Sequence, residues 1–483
     1  MNSQSLNLDP DRHFPTEGKV RGLARALYGE IKNAPIVSPH GHTDPAWFAS
    51  NANSTNATEF LITPDHYILR MLYSQGVRLE DLGVAPIGET SRVDPRDVWR
   101  LFADHYYLFR GTPSRSWLDH SFVSVFGLDV QLTAASADHY YDHINGCLAS
   151  DAYRPRALLD RFQVEYISTT EGALDDLAAH RNIAEQGWAD RIAPTFRPDD
   201  VIDPDHPGFV ANLSRLGQLT NENSNDWNGY LSAIRNRRAH FRKHGATATD
   251  HGHPTALTAD LDPSECQNLL DACLAGKADT RQRELFRAQM LTELAGMSRD
   301  DGMVMQIHPG VSRNHNGRLH ARFGPDKGAD IPLQTNYTKA LQPLLNLHGN
   351  DPDFSLILFT LDESSYAREL APLAGHYPCL KLGPPWWFND SPQGMLRFRR
   401  QVTETAGFYN TAGFNDDTRA LASIPARHDL ARRMDARFLA EQVCEHSLTE
   451  DEAHDLIEEL TSGLVRRAYK LDTRSSDAFA AAE

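Results

Sequence analysis

Two histidines one residue apart, His40 and His42, follow a short apolar run near the start of the chain, and the string Asn415-Asp416-Asp417-Thr418-Arg419 follows another run near its far end. Neutral imidazole nitrogens and carboxylate oxygens are the donors a divalent ion accepts. On an extended chain, residues i and i+2 face the same side, so His40 and His42 can share one ion. The spacing alone is weak: His251-Gly252-His253 repeats it, and 22 histidines in 483 residues give about one such pair by chance. Position at the end of a strand adds weight. In a closed barrel the last strand neighbours the first, so an acid near residue 417 meets the two histidines there. Asp417 can supply a hard oxygen or a base, and Arg419 shares its side of the chain; the bland alternative is a helix N-cap cluster. His308, closing Gln306-Ile307-His308, is a further ligand or a proton donor to substrate, against a purely structural bond to a loop carbonyl. Of the second pair, His251 is expected at the same mouth and His253 in the loop.

Arginines recur at the ends of such runs: Arg197, Arg313 and Arg419, with Lys381 inside another. Guanidinium forks bind carboxylates bidentately. Positive charge converging from several strands, on a chain of net charge −17, predicts an anionic substrate. The string Trp386-Trp387-Phe388-Asn389-Asp390 offers aromatic faces for sugar C–H groups and polar tips for hydroxyls, or else a plug at a barrel rim. Tyr67, in Asp65-His66-Tyr67, carries a phenol whose ordinary pKa of about 10 suits proton donation to an alkoxide. A two-metal hydrolytic centre would need a bridging ligand and more histidines on later strands, so at most one metal ion is expected. No glycine-rich dinucleotide loop follows a strand, so no nicotinamide is expected.

The elements that must position these groups come from the hydrophobic pattern. Apolar, β-branched runs lie at 35–38, 164–169, 191–196, 247–249, 303–307, 354–361, 378–382 and 408–414, with helix-period segments such as 173–186, 284–298 and 336–347 between most of them. Eightfold alternation of strand and helix predicts an α/β fold, a (β/α)8 TIM-type barrel. The stretch 46–160 is far too long for a barrel connection and carries helix starts, for example Asp94 as N-cap with Pro95 following. The expected organisation is therefore an N-terminal helix and first strand (1–45), a helical insertion after strand 1 (46–160), the rest of the barrel (161–432, with a smaller insertion at 204–244), and C-terminal helices with a polar tail that frays (433–483).

Composition sets the outer bounds. Hydrophobic residues make up 40% and charged residues 23%, which is globular, and the longest apolar run, 354–361, is far short of a membrane helix. With 48 basic and 65 acidic residues, nucleic acid and anionic membrane are not expected partners. Five cysteines without C-x-x-C spacing read as free buried thiols in a reducing cytoplasm, and the polar start at residues 1–11 lacks the apolar core of an export signal. A large helical insertion is expected to make contacts between copies of the chain, so a homo-oligomer is expected.

His40-Gly41-His42, Asp65-His66-Tyr67, Thr195-Phe196-Arg197-Pro198-Asp199, Gln306-Ile307-His308 with Arg313-Asn314, Trp386-Trp387-Phe388-Asn389-Asp390 and Asp417-Thr418-Arg419 occur in this order. Together they resemble the uronate isomerases of the amidohydrolase superfamily, from about residue 23 to about 432. The resemblance implies one divalent metal, usually zinc, held by His40, His42 and Asp417, the Asp-x-Arg pairing favouring Asp417 over Asp416. It implies Asp417, Arg419, Tyr67 and His308 at the reacting carbons, and Arg197, Arg313, Trp387, His66 and Asn314 around the substrate. The implied reaction is aldose–ketose isomerisation of D-glucuronate or D-galacturonate, by an enediolate or a metal-assisted hydride shift. A single-metal hydrolase or decarboxylase of the same superfamily is the first rival, and a sugar-acid binding protein without catalysis the second.

Overall fold

The computed structural model describes residues 4–386 and 390–473. Nine strands occur among them: β1 (Ile36–Ser38), β2 (Val164–Gly172), β3 (Ile192–Arg197), β4 (Ala248–His251), β5 (Val304–Ile307), β6 (Val311–Ser312), β7 (Ile331–Pro332), β8 (Leu356–Leu358) and β9 (Leu380–Leu382). Seven pair in parallel in the order β1-β2-β3-β4-β5-β8-β9, while β6 and β7 form a small antiparallel pair. The sheet curls with helices outside it, a TIM-like α/β fold. Alternation along the strands sorts the side chains. Val37, Ala193, Ala248, Val304 and Ile357 fill the interior, whereas Phe196, Met305, Ile307 and Leu356 pack outward under the helices.

Seven of the eight expected runs form strands of that sheet. The run at 408–414 is reduced to a single bridge between Leu382 and Thr411, with Leu382 N–H donating to Asn410 O (2.9 Å) and Ala412 N–H to Leu382 O (2.8 Å). Its physical limit is Gly413, at φ 74°, which turns the chain out of extension where a Cβ would stand 3.1 Å from the Val465 backbone. The ring still closes at its upper edge, where His42 N–H donates to Thr418 O (3.0 Å).

The stretch between β1 and β2 is helical, as its pattern predicts. Asp94 accepts from Arg96 N–H and caps helix Pro95–Asp104. Trp99, Phe102, Tyr106, Phe122 and Tyr140 give this insertion an aromatic core, continuous with Ile36, Val164 and Ile192 on the outer face of the barrel. A second excursion, between β6 and β7, has no counterpart in the sequence pattern. It carries helix Gly317–Phe323 and leans on the insertion, with Phe323 in the insertion's core and Ile87 N–H donating to Arg322 O (2.8 Å). Among the described residues no helix is long and apolar enough to cross a membrane. All five cysteines are free; Cys266, Cys273 and Cys379 are buried, while Cys147 and Cys444 are only half-buried. Trp387, Asn389 and the tail beyond 473 lie outside the described residues.

Candidate active site

The C-terminal ends of the strands open into a cavity of about 350 Å³, walled by His40, His42, Arg197, Asp250, His308 and Asp417 on the barrel side. Asp65, His66, Tyr67 and Arg70 reach it from the insertion, and Arg313, Asp326 and Asp330 from the β6–β7 excursion. That volume lies in the usual range for small-molecule sites.

Asp417 Oδ1 lies 3.4 Å from His40 Nε2 and 3.3 Å from His42 Nε2. Two ligand atoms on a tetrahedral ion with bonds of about 2.0–2.2 Å stand roughly 3.3–3.6 Å apart, so each imidazole nitrogen lies at co-ligand distance from Asp417 for an ion of zinc's size. Asp417 is held at φ 42°, the left-handed region, and the Thr418 bond to His42 fixes it there. Strain of this kind persists only where surrounding contacts over-determine it. Burial alone would raise the Asp417 pKa, but the two imidazoles hold it well below the usual carboxylate range. Its neighbour Asp416 turns away and bonds His428 Nε2 (3.0 Å), so Asp417, not Asp416, faces the histidines.

His308 is buried between the rings of His40 (centroids 4.6 Å) and Phe359 (3.9 Å), with Trp386 edge-on. Its Nδ1 bonds Asp250 Oδ1 (2.7 Å), and its buried Nε2 has no protein hydrogen-bond partner. Burial, only partly opposed by Asp250, lowers the His308 pKa and favours the neutral ring. A further His–Asp grouping joins Asp199, itself in the cavity wall, to His251 and His253 behind it. There Asp199 Oδ1 and His253 Nε2 are 4.0 Å apart, wide for a shared tetrahedral ion, and Asp199 already accepts from Arg197 Nε (2.8 Å) and Gly252 N–H. His251 is turned to the outside of the barrel, bonded to Thr249 Oγ1 (3.0 Å), because Ala248 and Asp250 take the inward positions of β4. The expectation that His251 faces the mouth therefore falls by one residue.

Tyr67 enters from the first turn of helix His66–Ser74, whose N-terminus is capped by Asp65 accepting from Tyr67 and Ile68 N–H. Burial raises the Tyr67 pKa, so the phenol keeps its proton. His66 stacks on it (4.4 Å), and burial together with Arg419 pushes the His66 pKa down to about 4. Arg419 pairs with Asp326 (3.1 Å) and Arg313 with Asp330 (3.2 Å), both acids belonging to the excursion. Asn314 stands beside the cavity rather than in its wall, its backbone N–H donating to Asp330 Oδ1 (2.7 Å). Lys381 bonds Asn410 (2.9 Å) and takes no part in the cavity.

Besides Asp326 and Asp330, the sequence reading passed over Asp250, Arg427 and Arg70 among the wall residues. Strand alternation could have found Asp250, since Ala248 is an interior position two residues before it. Arg427, in the first turn of helix Ile424–Cys444, packs on Trp117 (3.7 Å) and pairs with Asp390 (2.6 Å); Arg70 lies one turn beyond Tyr67. Nothing local in the sequence marks either arginine.

The model of the family described as glucuronate isomerase matches residues 19–468. A curated uronate isomerase of Rhizorhabdus wittichii is 60% identical over 471 residues, covering 98% of this chain and all of the relative. Another, from Xanthomonas axonopodis pv. citri, is 58% identical over 472 residues with the same coverage. The crystal structure of glucuronate isomerase from Caulobacter crescentus superposes with a TM-score of 0.95 at 55% identity, over 97% of this chain and 98% of that one. A likeness that runs from before β1 to beyond the last barrel residue takes in every group around the cavity, and on that ground the chain belongs to the uronate isomerase family.

Proposed function

We propose that this enzyme interconverts an aldohexuronate, D-glucuronate or D-galacturonate, with the corresponding ketouronate, and that the cavity residues divide the work as follows. His40, His42 and Asp417 would hold one divalent ion, with zinc favoured by the two-imidazole, one-carboxylate set and its 3.3–3.4 Å spacings. When bound, the ion supplies Lewis acidity to the oxygens of the open-chain sugar. Arg197 and Arg313, with His66 and Trp387, would hold the anionic substrate. Asn314, next to Arg313, would add a further contact to the substrate.

Isomerisation moves one proton from C2 to C1 and one from O2 to O1, with no net redox change and no second substrate. Asp417, or a base it controls, takes the C2 proton, leaving an enediolate whose charge faces Arg419. Tyr67, kept protonated by burial, or His308, through its buried Nε2, would return the proton at C1. The observation that carries this reading is the meeting of Asp417 with both histidines at the rim of a cavity walled by arginines. The hydrolase and decarboxylase rivals draw no support from relatives that are uronate isomerases at 58–60% identity.

The five free cysteines support a cytoplasmic setting. Exposed Tyr73, Ile87 and Tyr107 on the insertion support a homo-oligomer, which light scattering tests directly. For the reaction, purified protein is incubated with each uronate and ketouronate formation is followed. Activity on one or both, lost to a chelator and restored by zinc, is expected; inactivity on both overturns the reading.

A further inference from the structure

Three neighbouring strands deliver three side chains to one spot. Arg197 ends β3, Asp250 lies on β4 and His308 follows β5, and β3, β4 and β5 are adjacent in the sheet. Asp250 sits between its neighbours and uses both oxygens: Oδ1 receives His308 Nδ1 at 2.7 Å, and Oδ2 receives Arg197 Nη1 at 3.0 Å. Only 1% of the Asp250 surface is exposed. A carboxylate so buried survives only when donors surround it. Its Oδ2 faces a guanidinium that keeps its proton, which holds the carboxylate ionised. An ionised carboxylate accepts and does not donate, so the hydrogen between Asp250 and His308 belongs to Nδ1. The other nitrogen, Nε2, then presents a lone pair, and it is this buried atom that has no protein partner.

The geometry points to Asp250 as a positioning residue for the isomerisation: one carboxylate fixes the tautomer and orientation of His308 and one edge of the Arg197 fork. This rests on the roles given above to His308 and Arg197, and deepens them. Asp250 lies in the cavity wall, but both its oxygens are engaged by these two neighbours, and it acts through them. Arg197 keeps a second anchor, since its Nε still donates to Asp199 (2.8 Å). His308 has no second carboxylate at Nδ1. Loss of Asp250 therefore falls on His308 more than on Arg197, and on kcat more than on KM.

Two measurements test this. Neutron diffraction of the wild-type holoenzyme should place a deuteron on His308 Nδ1 and none on Nε2; the reverse placement overturns the inference without any variant having to fold. Kinetics of Asp250→Asn, His308→Gln and the double variant, with metal content measured for each, supply the second. Asp250→Asn should retain its metal and lower kcat roughly 10–100-fold, the usual cost of removing such a supporting carboxylate, with a smaller change in KM. Added to His308→Gln it should cost little more. Independent, multiplying losses would overturn the inference, as would loss of metal in Asp250→Asn. A fully active His308→Gln would instead remove the His308 role itself, so the two failures are distinguishable.

Discussion

Glu171, near the end of β2, points outward beneath helix Ala178–Glu185, with both carboxylate oxygens buried and without hydrogen-bond partners. His180 is its nearest basic group, at 3.8 Å. Burial raises the Glu171 pKa to about 8, so the folded protein keeps a proton there that the unfolded chain releases near the ordinary glutamate value of 4.5. A folded pKa above the unfolded one means stability falls as pH rises between those limits. Glu171→Gln keeps the shape and removes the ionisation; it should flatten that slope and gain up to a few kcal/mol at pH 8, read by urea unfolding at pH 5 and pH 8. An unchanged slope would place the proton elsewhere. At the proposed metal site, His42→Ala and Asp417→Asn each remove one of its three donors, and each should reduce bound divalent metal and activity at least 10-fold, checked by metal analysis beside the assay. His40, His42 and Asp417 were legible from type, spacing and position in the chain. Asp250 was not legible in this way: the His-x-His string around Gly252 is the stronger local signal, while the inward register of β4 belongs to the residue before it.

The β6–β7 excursion is the element with most influence on access. Its Asp326 and Asp330 hold Arg419 and Arg313, two guanidinium groups of the cavity wall. A carboxylate that neutralises Arg419 in the free enzyme competes with an anionic substrate for it. The pair is partly exposed, 38% on each side, which limits its strength to about 0.2–1 kcal/mol. Asp326→Asn should therefore lower KM by only about 2–5-fold with kcat little changed; a raised KM would mean that Asp326 itself touches the substrate. Two-residue strands carry no usable periodicity, and the excursion's fixed points are contacts with the insertion at Ile87 and Glu80, far away in sequence. That is why it was invisible while the long helix Thr280–Asp301 was foreseen from the pattern at 284–298. The same limit applies to the run at 408–414. Its composition is that of a strand, yet Gly413 turns left-handed to admit a helix that only the folded chain brings there.

That helix closes the whole molecule. Val465 and Tyr469 from the C-terminal segment join Val37, Ala193 and Ile357 inside the barrel, at the seam where the eighth run pairs through one bridge only. The Tyr469 hydroxyl donates to Gln306 Oε1 (2.8 Å) and accepts from Asn415 Nδ2 (3.1 Å), tying β5 to the segment that leads to Asp417. All three residues are buried. Tyr469→Phe keeps the ring and removes the hydroxyl, leaving two buried amides short of a partner, at a cost of about 1–3 kcal/mol. Gly413→Ala disturbs the same seam from the other side, forcing a Cβ onto Val465 at a left-handed φ. Both variants should shift the urea midpoint downward, and because they touch one seam, their combined loss should differ from the sum of the single losses. An unchanged midpoint in Tyr469→Phe would mean that apolar packing alone seals the barrel. If instead the seam supports the centre above it, the variant should also release metal faster when challenged with chelator, since Asn415 stands only two residues from Asp417.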